Sequence, residues 1–176
     1  MRPIERVVAL WKLGLIAPEQ VIAWADREML QCESLSQEVL DLSLEGPARC
    51  VRKPEFEFPA GPISLPYATE FALRSAATEL SSDQSLLGFC HWCARAAMGE
   101  ELQLPEVAFG YQVEHLLYDC ENTQDAMQYA RVELPKLVAG FAAVVASFLD
   151  VLPNPSLHPT AYSGLRPLPS AGELKR

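Results

Sequence analysis

Two short constellations carry residue types that do chemistry. Cys90-His91-Trp92-Cys93 is a CxxC with an imidazole between its thiols. Such a pair holds zinc when a second ligand pair stands at matching spacing, and works as a redox couple when a strand precedes it. This chain has no second CxxC, and the residues before Cys90 read as helix. Cys120 and His115 are further donors that only tertiary folding could recruit. Cys90 and Cys93 share a predicted helix face with Leu86, Leu87 and Ala94, so they read as small core residues. The expectation is no metal and no cofactor.

The second constellation is His115 and Asp119, four apart on a predicted helix, with Glu114 beside them. That spacing suits a proton-transfer pair or a metal ligand pair. It equally suits an ordinary i,i+4 pair on a surface. The di-iron helix motif needs Glu followed three residues later by His, and that pair is absent. GxSxG, a Walker loop, GxGxxG and HExxH are absent too. One functional reading is therefore a small enzyme or ligand-binding protein. Its pocket would lie near the Pro-rich loop, with His115, Asp119, Tyr111 or His91 as candidates.

The rival reading starts from charge. The formal net charge is −9 and the pI about 4.8. Binding to nucleic acid or anionic lipid needs basic patches, so neither is expected as a partner. From Glu100 to Asp125 the chain carries Glu100, Glu101, Glu106, Glu114, Asp119, Glu121 and Asp125 with no Lys or Arg between. A run of this kind is either a solvated helix face or a negative surface that steers a basic protein into place. The partner-binding candidates are Glu114, Asp119, Glu121 and Asp125.

The elements that must position these residues read as helices. Ile4, Val7, Val8 and Trp11 fall at helical spacing, predicting a first helix over 3–14 that ends at Gly14. Pro18 opens a second, with Val21, Ile22, Ala25 and Met29 on one face. Ser34 or Ser36 caps a third, running to Leu44. From Glu45 to Pro66, five prolines forbid a continuous helix, and Glu55-Phe56-Glu57-Phe58 suits a short extended piece. This segment reads as an ordered wrap or as a lid. Further helices are expected from Ala68 to Leu80, Gln84 to Met98 and Pro105 to Cys120. A last long helix, capped by Asn122 or Thr123, should kink near Glu133 to Lys136 because Pro135 lies inside it. Its end, Leu137 to Leu149, is apolar all round, and a helix without a polar face is buried or in lipid. The run is shorter than the roughly 20 residues a membrane span needs, so it reads as the central helix of the core.

The fold class expected is all-α: a single-domain bundle of six or seven helices over 1–152 around that central helix. Residues 153–176 are dense in Pro, Ser and Gly, and form an expected disordered tail. Glu5 and Lys12 interrupt the N-terminal apolar residues, so no signal peptide is read and a cytoplasmic place is expected. Five cysteines there read as free thiols.

The tail residues Asn154-Pro-Ser-Leu-His-Pro-Thr160 and Ala171-Gly-Glu-Leu-Lys-Arg176 resemble the translated recombination sites that end many bacterial integron gene cassettes. The likeness implies a mobile bacterial gene. The opening LWKLGLIAPEQVIAWADRE looks superficially like a helix-turn-helix, but its second helix offers Glu19, Gln20, Asp26, Arg27 and Glu28 outward, which argues against DNA readout. With VLDLSL at 39–44 it resembles openings of small bacterial immunity-type proteins. That resemblance implies an immunity or antitoxin role against a basic partner. A homo-oligomer through leftover apolar faces fits either reading.

Overall fold

Most helix starts among the described residues have a local cause. The computed structural model describes residues 1–31, 36–153 and 157. Pro3, Pro18, Pro47 and Pro105 each open a helix, where a missing N–H costs nothing. Ser36 Oγ accepts the N–H of Val39 at 3.3 Å, and Ser82 Oγ that of Ser85 at 3.3 Å. Gly14 and Gly99 take positive φ where helical residues end, as the sequence anticipates.

The elements are α1 (Pro3–Lys12), α2 (Pro18–Gln31), α3 (Gln37–Glu45), α4 (Pro47–Cys50), α5 (Tyr67–Ala77), α6 (Asp83–Ala96), α7 (Pro105–Glu114), a π-helical turn (His115–Asp119), α8 (Thr123–Val138), a 3-10 turn (Ala139–Phe141) and α9 (Ala142–Leu149). No strand occurs among the described residues, so the all-α expectation holds. Cys32, Ser34 and the tail apart from Pro153 and Leu157 lie outside the described residues. By their internal contacts the described residues divide into two compact units, residues 1–77 with 138–153 and 157, and residues 78–137.

The first unit packs α1, α2, α3, α5 and α9 around Val7, Val8, Leu10, Leu15, Trp24, Leu42, Phe58 and Leu73, all essentially solvent-free. The segment 45–66 is an ordered wrap on this core. The Glu55–Phe58 piece is a turn and not the extended piece that the sequence suggested. Pro54 O accepts the N–H groups of Glu57 and Phe58 at 2.9 and 3.0 Å, closing a turn. That turn buries Phe58 fully and leaves Phe56 at 83% exposure. Period-2 spacing of two Phe was matched by one inward ring, because five prolines deny the segment a ladder partner.

Charged groups pin the wrap. Glu38 accepts from Arg2 Nη1 at 2.6 Å and from the Ala60 N–H at 2.9 Å. Lys53 Nζ lies 2.7 Å from both Asp41 and Glu45. The Lys53 ammonium, followed by the Gln37 amide, holds the Asp41 carboxyl below its usual range. Lys12 Nζ donates to the carbonyls of Gly61 and Ile63 at 3.1 and 2.8 Å.

The apolar stretch 137–149 is not the buried centre that its composition suggested. Phe148 is buried, Phe141, Val144, Val145 and Leu149 are half-buried, and Ala139, Gly140, Ala142, Ala143, Ala146 and Ser147 are exposed. α9 packs on α5 and α1 by its bulky side, with Phe71 and Phe141 rings 5.8 Å apart. The reason is size. Hydropathy counts Ala as apolar, yet a methyl offers little area to bury, at about 25 cal/mol per Å². A helix uniform in hydropathy is therefore amphipathic in buried area. The expected break beside Pro135 appears later, as the 3-10 turn Ala139–Phe141. Among the described residues one helical stretch, Thr123–Leu149, is long and apolar enough by length and composition to cross a membrane.

The second unit packs α6 against α7. Phe89 stands 5.7 Å from Trp92 and 6.3 Å from Phe109, and Phe109 stacks on Tyr129 of α8 at 5.4 Å. Cys90 and Cys93 lie in this core with no exposure, as small apolar side chains. Arg131 reaches Asp83 and the carbonyl of Leu80.

Candidate functional site

α7 does not run on to Cys120 as one α-helix. Its last residues widen into the π-helical turn His115–Asp119, closed by Cys120 N–H to His115 O at 3.0 Å. Glu121 follows in the left-handed region at φ 51, and Asn122 N–H bonds back to Leu116 O at 2.9 Å. A left-handed residue with a returning N–H is the usual helix stop. Here the returning bond spans one residue more, because the turn before it is wide. Asn122 Oδ1 then accepts the N–H of Asp125 at 3.1 Å and opens α8. Single π turns are rare and occur often where a helix carries function.

The wide turn gathers three side chains. His115 Nδ1 lies 2.9 Å from Asp119 Oδ2, and His115 Nε2 lies 3.5 Å from Cys120 Sγ. A carboxylate only accepts, so His115 Nδ1–H donates to Asp119 Oδ2, and Nε2 presents its lone pair to the thiol. Base, orienting carboxylate and nucleophile thus stand in one line. The sequence pairs His115 with Asp119 from helical spacing. It does not pair either with Cys120. In an α-helix, residues five apart point about 140° away from each other. The i to i+5 bond of the π turn swings Cys120 back over His115.

This site faces solvent. The His115 and Asp119 side chains are 53% and 65% exposed. Cys120 is the exposed thiol among the described cysteines, while Cys50, Cys90 and Cys93 are buried. Burial pushes the Cys90 thiol up to about 12 and the Cys50 thiol up to about 11, which keeps both protonated and inert. Glu121 and Asp125 are exposed and Glu114 is half-buried. Among the described residues, none of Glu114, Asp119, Glu121 and Asp125 has a Lys or Arg partner. Glu106, counted in the acidic run by sequence, is buried and belongs to the interior.

The other candidates have structural roles. His91 Nδ1 meets Tyr118 Oη at 3.0 Å, and burial, followed by the charge of Arg95, lowers its pKa. Tyr111 Oη accepts the N–H of Gly99 at 3.2 Å and ties down the turn after α6. Two shallow depressions lie at the 45–66 wrap. One is lined by Glu55, Phe56 and Pro59, and the other by Lys12, Leu13, Ile63, Leu65, Glu70 and neighbours. Neither is lined by a His or Cys. No group of three or more His, Cys, Asp or Glu suited to a metal ion occurs among the described residues. Comparison with protein families, curated proteins and solved structures finds no match for this chain.

Proposed function

We propose that the protein is an acidic recognition module, of immunity or antitoxin type, that binds a basic protein partner through Glu114, Asp119, Glu121 and Asp125. The observation that carries this reading is that these carboxylates, from the end of α7 to the first turn of α8, have no Lys or Arg partner among the described residues. An unneutralised set of charges raises the encounter rate with an opposite surface and penalises wrong partners. Solvent exposure of His115 and Asp119 favours it over a pocket enzyme, since an enclosed site would shield both. The tail likeness to cassette recombination sites fits a small mobile bacterial gene acting in the cytoplasm.

The test captures a partner from host lysate on the immobilised full chain and identifies it by mass spectrometry. The expected partner has a basic surface, and its association slows steeply with salt. In the triple variant Glu114→Lys, Asp119→Lys, Glu121→Lys the rate falls at low salt and differs less from the parent at high salt. Equal rates and equal salt dependence in parent and variant reduce the four acids to a solvated face.

A second reading concerns assembly. Ala139, Gly140, Ala143 and Ser147 form an exposed small-residue side of α9 and the turn before it. Small residues let helix backbones approach closely. A Cβ built on Gly140 meets nothing within 4 Å. A second copy of the chain suits this side better than lipid, because Arg131, Glu133 and Lys136 charge the half of the stretch that precedes it. Sedimentation velocity across a concentration series tests it, with flotation on vesicles as the arm for lipid.

A further inference from the structure

We propose that Cys120 is a reactive thiol, with His115 as its base, that takes cationic disulfides by thiol–disulfide exchange. This goes beyond partner recognition and does not depend on it. Three observations carry it. The thiol is exposed, its sulfur lies 3.5 Å from His115 Nε2, and Asp119 at 2.9 Å fixes the tautomer that leaves Nε2 free to accept. A nucleophile, a base in reach and a group that orients the base is the general arrangement for thiol activation.

The step balances without an added oxidant. Cys120 Sγ attacks one sulfur of the incoming disulfide while its proton passes to His115 Nε2. The new S–S bond forms as the old one breaks. The departing sulfur leaves with the electron pair and takes the proton back from Nε2. The products are a mixed disulfide on Cys120 and one free thiol. Cys120 is oxidised and the incoming disulfide is reduced by the same amount. The other described cysteines are buried, so no second thiol is presented to resolve the adduct.

Charge sets the class of reagent. Glu114, Glu121 and Asp125 surround the turn without a described Lys or Arg partner, so a positive disulfide is drawn in and a negative one repelled. No groove around the thiol is needed for this selectivity, since the field acts over about 10 Å at 0.1 M salt.

The experiment follows adduct formation on Cys120 of the full chain by intact mass and peptide mapping. The reagents are cystamine, hydroxyethyl disulfide and glutathione disulfide, which are cationic, neutral and anionic. Each rate is normalised to the same reagent acting on N-acetylcysteine amide. The expected order is cystamine, then hydroxyethyl disulfide, then glutathione disulfide, with at least about a tenfold spread at low ionic strength that narrows with salt. Glu114→Gln with Glu121→Gln should compress that spread when the cationic and anionic rates are each taken relative to the neutral reagent's. His115→Gln should slow all three by about tenfold or more with an unchanged melting curve. Asp119 is a positioning residue. Asp119→Asn should shift the His115 imidazole nitrogen resonances away from the Nδ1–H tautomer, a signature that simple loosening of the turn would not give. The proposal is overturned if Cys120 reacts with the neutral disulfide no faster than the reference thiol, if His115→Gln reacts at the parent's rate, or if the three normalised rates coincide.

Discussion

His91 shows how one buried ring makes stability depend on pH. It is half-buried against Tyr118, and burial holds its pKa below the ordinary histidine value. The unfolded chain therefore binds a proton at that ring more readily than the folded chain does. The native state is favoured fully above the unfolded value of about 6.5, and stability falls as pH drops from there toward the lowered folded value. Urea unfolding at pH 7.5 and 5.5 should show this loss. His91→Gln should flatten the slope between those values, and an unchanged slope would place the loss elsewhere. Cys90 and Cys93 lie on the same helix as His91, and their full burial explains why a CxxC can be inert. Burial pushes the Cys90 thiol up to about 12, so it stays protonated, and both thiols serve as packing.

The 45–66 wrap sets the problem at the scale of an element. It has α4 and no other regular structure, yet Phe58 and Ala60 are fully buried in the first unit's core. Phe58→Ala should cost about 3–5 kcal/mol, read by chemical denaturation, because a large ring leaves a cavity its neighbours only partly fill. The ion pairs that pin the wrap make a second, pH-dependent contribution. Asp41 has a lowered folded pKa through Lys53 and then Gln37. Its contribution is present above the unfolded carboxyl range and lost as pH falls through the folded value. Asp41→Asn should therefore lower the melting temperature at pH 7, and the gap to the parent should narrow by pH 2 to 3. A constant gap across that range would mean that Asn disturbs packing rather than charge. Gly46, between α3 and α4, holds φ 75 and ψ 163, a region that favours glycine and lets the chain turn sharply into the wrap.

At the scale of the whole molecule, the exposed side of α9 decides what a charge or a bulky residue does there. Ala143 is exposed and a Cβ on Gly140 has open space around it. Ala143→Glu and Gly140→Leu should leave folding stability within about 0.5 kcal/mol of the parent, as for other surface changes. The buried central helix that composition suggests would make both variants strongly destabilising. Denaturation curves separate the two outcomes. If the small-residue side joins copies, Ala143→Glu should also lower the sedimentation coefficient at high protein concentration, since a charge at a close helix contact is not solvated.

The sequence by itself determined the all-α class, most helix starts and the charge. Proline at first turns and glycine after α1 act within a few residues, so local chemistry is enough to place them, whereas the choice between Ser34 and Ser36 as cap stayed open. It also determined that Cys90 and Cys93 lie on a core face, because helical period reports burial when neighbours are large. Three features were decided only by tertiary structure. The apolarity of 137–149 did not report which side packs, because hydropathy weighs an alanine by its character and burial weighs it by its area. The fate of the two Phe in the wrap depended on a turn closed by Pro54 and on a core to receive one ring. The line from Asp119 through His115 to Cys120 depended on a change from i+4 to i+5 bonding. That change brings back toward His115 a side chain that an α-helix would point about 140° away, and no residue type in the segment announces it.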